Sequence, residues 1–191
     1  CLNAIDLSNH ANLRMLYCDN NQLLKLDLSN VPLLDDLNCA GNSLTEVDLT
    51  NVPQLTQLDC SGNQLRQIDL SNVPKLGALL CANNKMDVLA LKTAPLLVNL
   101  DCSGNQLTDL DLSPVLGLEK LLCHDNKLTR FDISHNQKLS TISCRNNDLS
   151  DLDLQKVRDR TVSWVVKPDL CGRDVVFRVG RTDYLTDVAQ L

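Results

Sequence analysis

The sequence predicts one β-solenoid, mainly parallel sheet, of about seven to eight turns of 21 residues. Three observations carry this prediction. Cysteines fall at Cys18, Cys39, Cys60, Cys81, Cys102, Cys123 and Cys144, and every interval is 21. An asparagine follows three residues after each one, at Asn21, Asn42, Asn63, Asn84, Asn105, Asn126 and Asn147. Leucine stands five before each cysteine, and also two before and five after, with Ile142 and Met86 as the exceptions. The unit reads LxxLxCxxNxLxxLDLSNVPx. So many columns in phase mark a repeat, and a unit this small buries its apolar side chains only against its neighbours.

Each part of the unit has a physical reading. In LxC alternate side chains point the same way, so leucine and cysteine enter the core while the residues between them face out. Stacked turns then run their LxC strands in parallel at ~4.8 Å and make one concave sheet. Each asparagine stands where the chain leaves the strand. Its amide can satisfy backbone groups of its own and the next turn that burial would otherwise leave unpaired. The second half, LDLSNVP, is too short for a full helix, so short extended or 3-10 segments are expected on the convex side. Pro32, Pro53, Pro74 and Pro95 suit a turn there that gives up a backbone donor. The whole is the leucine-rich repeat frame LxxLxLxxNxL with cysteine in the third leucine place. The domain reading is a leucine-rich repeat solenoid over residues 1–157 and a C-terminal cap, partly β, over 158–191.

The cysteine row is chemically ambiguous until its geometry is considered. Disulfides need converging Cβ atoms ~3.5–4.5 Å apart, whereas stacked parallel strands point every thiol the same way. A tetrahedral metal site needs four groups around one point, which a straight row does not supply. A ladder of reduced, buried thiols, each a small apolar filler, is therefore expected, with no metal and no cofactor. Burial makes these thiols uninformative about compartment. Cys1 and Cys171 lie outside the ladder, near opposite ends of the solenoid, and do not bridge to each other.

Composition excludes several classes. The chain has 24 acidic and 18 basic side chains and a formal net charge of −6, which argues against nucleic acid or an anionic membrane as a partner. No run approaches the ~20 apolar residues of a membrane span. The chain opens at Cys1, in mid-repeat, with Leu2, Ile5, Asp6 and Leu7 already in phase, and so reads as a trimmed piece.

Nothing in the sequence assembles a catalytic centre. His10 and His135 fall in return columns and His124 on the strand face, where Ser103 and Arg145 are its lateral neighbours. A serine beside a histidine can be a nucleophile and base, but no third group or oxyanion pocket is indicated, so no catalytic residue is assigned and an enzyme is not expected. Aspartates recur at 6, 27, 48, 69, 111, 132 and 153, with Ala90 breaking the run. Each carboxylate is expected to accept a backbone N–H at its turn. A row of calcium sites is the alternative, but the glycine-rich nonapeptide of calcium-binding β-rolls is missing. The SGN and AGN triplets are turn glycines, since no lysine follows in the frame of a phosphate loop.

The outward columns carry the informative surface. One before each cysteine stand Tyr17, Asn38, Asp59, Leu80, Asp101, Leu122 and Ser143; three before stand Met15, Asp36, Gln57, Ala78, Asn99, Lys120 and Thr141; one after stand Asp19, Ala40, Ser61, Ala82, Ser103, His124 and Arg145. The N-terminal half is acidic, the middle has an apolar patch of Leu80, Ala78 and Ala82, and the C-terminal end is basic. A polarised face of this kind can orient a protein of matching charge. Tyr17, Asp36, Asn38, Asp59, Leu80, Asp101, Lys120, Leu122, His124 and Arg145 are the candidate partner-binding residues. The tail loses the phase: Val165 stands at the next cysteine position and Ser163 two before it. VSWVV and DVVFRV read as strands of a cap over the open solenoid end.

Units such as LDCSGNQLTDLDLS and FDISHNQKL resemble those of bacterial leucine-rich repeat proteins of the internalin class, in particular their 21-residue cysteine-ladder repeats. The resemblance covers roughly residues 2–157. An N-terminal helical cap, an immunoglobulin-like domain and a cell-wall sorting motif, which such proteins carry, are not recognisable. The resemblance implies a non-enzymatic, monomeric protein-binding module, secreted or at the bacterial surface, with adhesion or virulence roles and a host or cell-surface protein as partner. A structural spacer or intracellular scaffold presenting another domain is the second reading.

Overall fold

The computed structural model describes residues 1–130 and 132–149, and the backbone of 163–166 and 175–178. One strand of three residues arises from each LxC segment: β1 (Met15–Tyr17), β2 (Asp36–Asn38), β3 (Gln57–Asp59), β4 (Ala78–Leu80), β5 (Asn99–Asp101), β6 (Lys120–Leu122) and β7 (Thr141–Ser143). Two further strands follow, β8 (Ser163–Val166) and β9 (Val175–Arg178). They form one sheet in chain order, parallel from β1 to β8, with β9 antiparallel on β8. The leucine between the two outward residues always faces its equivalent, as in Leu37↔Leu58 and Leu79↔Leu100. The predicted solenoid and its parallel sheet are therefore present.

Pairing continues past each strand, because the cysteine N–H donates to the next coil, as from Cys60 to the Leu80 carbonyl at 2.8 Å. Two residues on, the chain turns out of the sheet with positive φ in every coil: Asn20, Gly41, Gly62, Asn83, Gly104, Asp125 and Asn146. Left-handed backbone costs an ordinary side chain ~1–2 kcal/mol, so only glycine, asparagine and aspartate occupy this column.

The return side carries two successive turns per coil in place of a helix. Val31 N–H donates to the Leu28 carbonyl and Leu34 N–H to the Val31 carbonyl, and the pattern recurs in later coils. The exposed proline follows the valine, at the turn position where its fixed φ fits and its missing N–H costs nothing. The valine itself is core: Val31, Val52, Val73, Ala94 and Val115 are fully buried. One coil thus directs seven apolar side chains inward, for example Leu34, Leu37, Cys39, Leu44, Val47, Leu49 and Val52. Full burial of a leucine or valine contributes ~1.5–3 kcal/mol, so stacking of coils is the main source of stability.

The offset between paired strands is 21 from β1 to β7 and becomes 22 at β8, where Thr141 pairs with Ser163 and Ile142 with Trp164. The repeat phase is displaced by one residue there, which is why the cysteine column leads to Val165 and no clear match. The proposed boundary between residues 157 and 158 lies outside the described residues, as does Cys171.

Candidate functional site

The ladder thiols are free and buried, as is their whole column from Cys18 to Cys144; Cys1 is free and exposed. Burial pushes the Cys18 thiol up to about 11, and those of Cys60 and Cys144 up to about 12. Cys39, Cys81, Cys102 and Cys123 are raised well above a free thiol for the same reason. A thiol kept neutral at every ordinary pH is neither nucleophile nor ligand. Among the described residues no group of three or more His, Cys, Asp or Glu side chains is placed to hold a metal ion.

The asparagine ladder binds coil to coil, with one correction to the expected direction. Asn84 donates through Nδ2 to the carbonyls of Cys81 at 3.1 Å and Cys60 at 3.0 Å, and its Oδ1 accepts the Leu65 N–H at 2.9 Å. Its partners lie in its own coil and the preceding one, not the next. Asn42, Asn63, Asn105, Asn126 and Asn147 repeat the arrangement. Sequence reasoning missed a further bridge on the return side: Asn136 replaces the valine of its column and donates to the carbonyls of Leu112 at 3.1 Å and Val115 at 2.9 Å.

The aspartate row behaves as turn chemistry predicts. Asp6, Asp27, Asp48, Asp69, Asp111 and Asp132 each accept, through Oδ1, the N–H of the residue two ahead, at 2.8–2.9 Å. Hydrogen bonds from Ser8 and Ser71 hold the Asp6 and Asp69 carboxyls below the usual range, and Asp27, Asp48 and Asp111 are lowered in the same way. Asp153 lies outside the described residues.

Among the large apolar side chains of the strand face, Met15 and Tyr17 are the most open, at 61% and 60% exposed, and Leu80 follows at 37%. The Tyr17 hydroxyl donates to Asp36 Oδ2 at 2.6 Å, which anchors the ring across β1 and β2. Asn38, Asp59 and Asp101 accept the N–H of the residue two ahead, at 3.1, 3.0 and 3.1 Å. The sheet register sets Asp36, Asn38, Asp59, Leu80, Asp101, Lys120 and Leu122 on one surface, with Leu122 half-buried. His124 and Arg145 follow β6 and β7 at the basic end.

Two expectations for the column after the cysteine are overturned. Ala82 is 5% exposed and Ser103 4%, so neither belongs to the open face and the apolar patch contracts to Leu80 and half-buried Ala78. The burial is confined to these two coils, since Ala40 and Ser61 in the same column stay half-buried. The Ser103 hydroxyl donates to Asp101 Oδ1 at 2.6 Å, and His124 Nδ1 lies 2.7 Å from Asp125 Oδ2. Serine and histidine thus engage different carboxylates, and the pair a nucleophile would need is not formed. No helix among the described residues is long and apolar enough to cross a membrane.

No family model matches the chain, and no curated protein matches it. Solved structures do. The functional domain of InlJ from Listeria monocytogenes, which includes a cysteine ladder, is 34% identical, with 87% of this chain and 42% of that chain covered and a TM-score of 0.71. YopM from Yersinia enterocolitica is 31% identical over 73% of this chain and 30% of its own, with a TM-score of 0.67. The internalin InlF of Listeria monocytogenes, at 21% identity, 82% and 48% coverage and a TM-score of 0.73, shares the fold. The chain spans less than half the length of each. With 21-residue coils, a buried thiol in each and a structural likeness to the ladder of InlJ, the chain is an internalin-like leucine-rich repeat protein.

Proposed function

We propose that the chain is a non-enzymatic protein-binding module that meets its partner with the outward face of the parallel sheet. One observation carries the reading. The inward columns repeat the same residue types and are buried, whereas the outward columns differ from coil to coil and leave Met15, Tyr17 and Leu80 open beside acidic side chains. Exposed aromatic and apolar side chains in a polar surround are typical of contact surfaces. The likeness to InlJ supports a place at the bacterial surface or outside the cell; the proposal adds a host or cell-surface protein as partner and a monomeric module acting in adhesion or virulence. Residues 158–191 are read as a cap, supported by the antiparallel strand that β9 adds to β8.

The test compares the wild-type chain with a variant carrying Y17A, D59K, L80R and D101K, both immobilised and exposed to detergent-solubilised host-cell surface proteins. Thermal unfolding establishes that both are folded. Proteins retained by the wild type and lost from the variant are expected. Identical retention by both would refute the reading and favour a spacer with an inert sheet face.

A further inference from the structure

The outward residues of β3, β4 and β5 form a row whose chemistry specifies a partner. Asp59, Leu80 and Asp101 pair in register across three consecutive strands. A strand spacing of ~4.8 Å sets the two carboxylates ~10 Å apart with an exposed leucine between them. Each is held by one oxygen: Asp59 Oδ1 by the Ser61 N–H, and Asp101 Oδ1 by the Ser103 N–H and hydroxyl. The second oxygen of each makes no hydrogen bond among the described residues, and no cation pairs with either. From β1 to β5 the outward columns contain Asp19, Asp36, Asp59 and Asp101 and no lysine or arginine. Beside the row, buried Ala82 and Ser103 keep the surface low. The row is therefore a pre-set pair of negative charges flanking an apolar contact, on a face whose basic residues, among those described, come later, at Lys120, His124 and Arg145.

Resting on the protein-binding reading above, we propose that this row docks an extended basic segment of the partner protein. Lysine or arginine side chains three residues apart would meet Asp59 and Asp101, and the intervening chain would lie against Leu80. The spacing selects the conformation. A polyproline-II segment repeats its face every three residues, ~9.3 Å along its axis, which matches ~10 Å. A β-strand repeats a face at ~6.6 Å or ~13 Å, and neither fits. Arginine suits the role because its fork engages a carboxylate in two parallel bonds.

The probe is a fluorescent synthetic peptide of five Arg-Pro-Pro repeats, followed by anisotropy at low salt beside its Glu-Pro-Pro counterpart. D59N/D101N is compared with D48N/D69N, which removes the same charge from the return side; asparagine retains the backbone acceptor in both. Saturable binding of the arginine peptide is expected, weakened roughly tenfold or more by D59N/D101N and within about twofold of wild type in D48N/D69N. Equal loss in both pairs, or no binding of the arginine peptide, would overturn the proposal, the first because general charge attraction then accounts for it. Binding of the glutamate peptide as tight as that of the arginine peptide would also overturn it, while leaving the sheet face as a protein-binding surface. Failure of the surface itself is read separately, from the immobilised-face comparison.

Discussion

Two side-chain devices close the coils, an asparagine on the strand side and, except where Ala90 stands, an aspartate on the return side, and they differ in reach. On the strand side Asn84 joins its own coil to the preceding one through the carbonyls of Cys81 and Cys60 and the N–H of Leu65, in a buried setting. On the return side Asp69 closes only its own turn, on the Ser71 N–H, in full solvent. Both satisfy backbone groups at a change of direction. Only the first couples neighbours, and coupling is what lets coils that are unstable alone form one cooperative body. The strand side should therefore be sensitive to perturbation and the return side tolerant.

Alkali should expose the largest difference. A thiol whose folded pKa is raised stabilises the fold fully below its unfolded pKa, near 8.5, and loses that contribution as pH rises toward the folded value. Cys60 and Cys144, at about 12, each make stability fall by ~1.4 kcal/mol per pH unit above ~8.5. Several ladder thiols act together, so circular dichroism should record unfolding between pH 9 and 11, with the onset moved upward when two ladder cysteines are changed to alanine. An onset unmoved by those changes would remove the thiols from the account.

Asn84→Ala comes next. It removes one of two amide donors from each of the Cys60 and Cys81 carbonyls, which keep Asn63 and Asn105, and leaves the buried Leu65 N–H unpaired, so urea unfolding should register a loss of roughly 2–4 kcal/mol. Cys81→Ser should cost roughly 1–3 kcal/mol, by burying a hydroxyl in place of a small apolar group. Ladder thiols of the wild type should also resist a thiol reagent until denaturant is added, while Cys1 reacts at once. Gly41→Ala should cost about 1–2 kcal/mol, since φ is +63° and the added Cβ would meet Asn20 Oδ1 at 2.8 Å. Gly41→Asn should recover part of that loss, as asparagine holds the same place at positions 20 and 83.

Asp69→Ala should be the mildest, a melting shift near experimental scatter. Its lowered pKa contributes stability above the unfolded value near 4, lost as pH falls through the folded value, so the effect should vanish in acid. A loss from Asp69→Ala as large as that from Asn84→Ala would break the contrast between the two sides.

The inward columns were legible in the residues because burial repeats itself: a position that meets the core in one coil meets it in all. The valine column was harder to read, since a valine between asparagine and proline resembles loop composition until the turn around it is seen. Ala82 and Ser103 were misread because their column is only half-buried in the other coils, and their cover comes from neighbours in adjacent coils. Asn136 gave little signal, as one polar residue in an apolar column does not reveal which carbonyls it will reach. The outward surface was legible as a set of columns but not as exposures, because the openness of Tyr17 and the cover over Ser103 depend on neighbours 21 residues away.

The sequence alone determined the period, the parallel sheet, the cysteine and asparagine ladders and the turn role of the aspartates. These follow from spacing and from the hydrogen-bonding capacity of single residue types, which are local properties multiplied by repetition. Only the tertiary structure decided that asparagine reaches back to the preceding coil, that the last parallel pairing slips to an offset of 22, and that Leu80 lies open between Asp59 and Asp101. Those depend on how one coil is set on another, and that placement is a property of the stack.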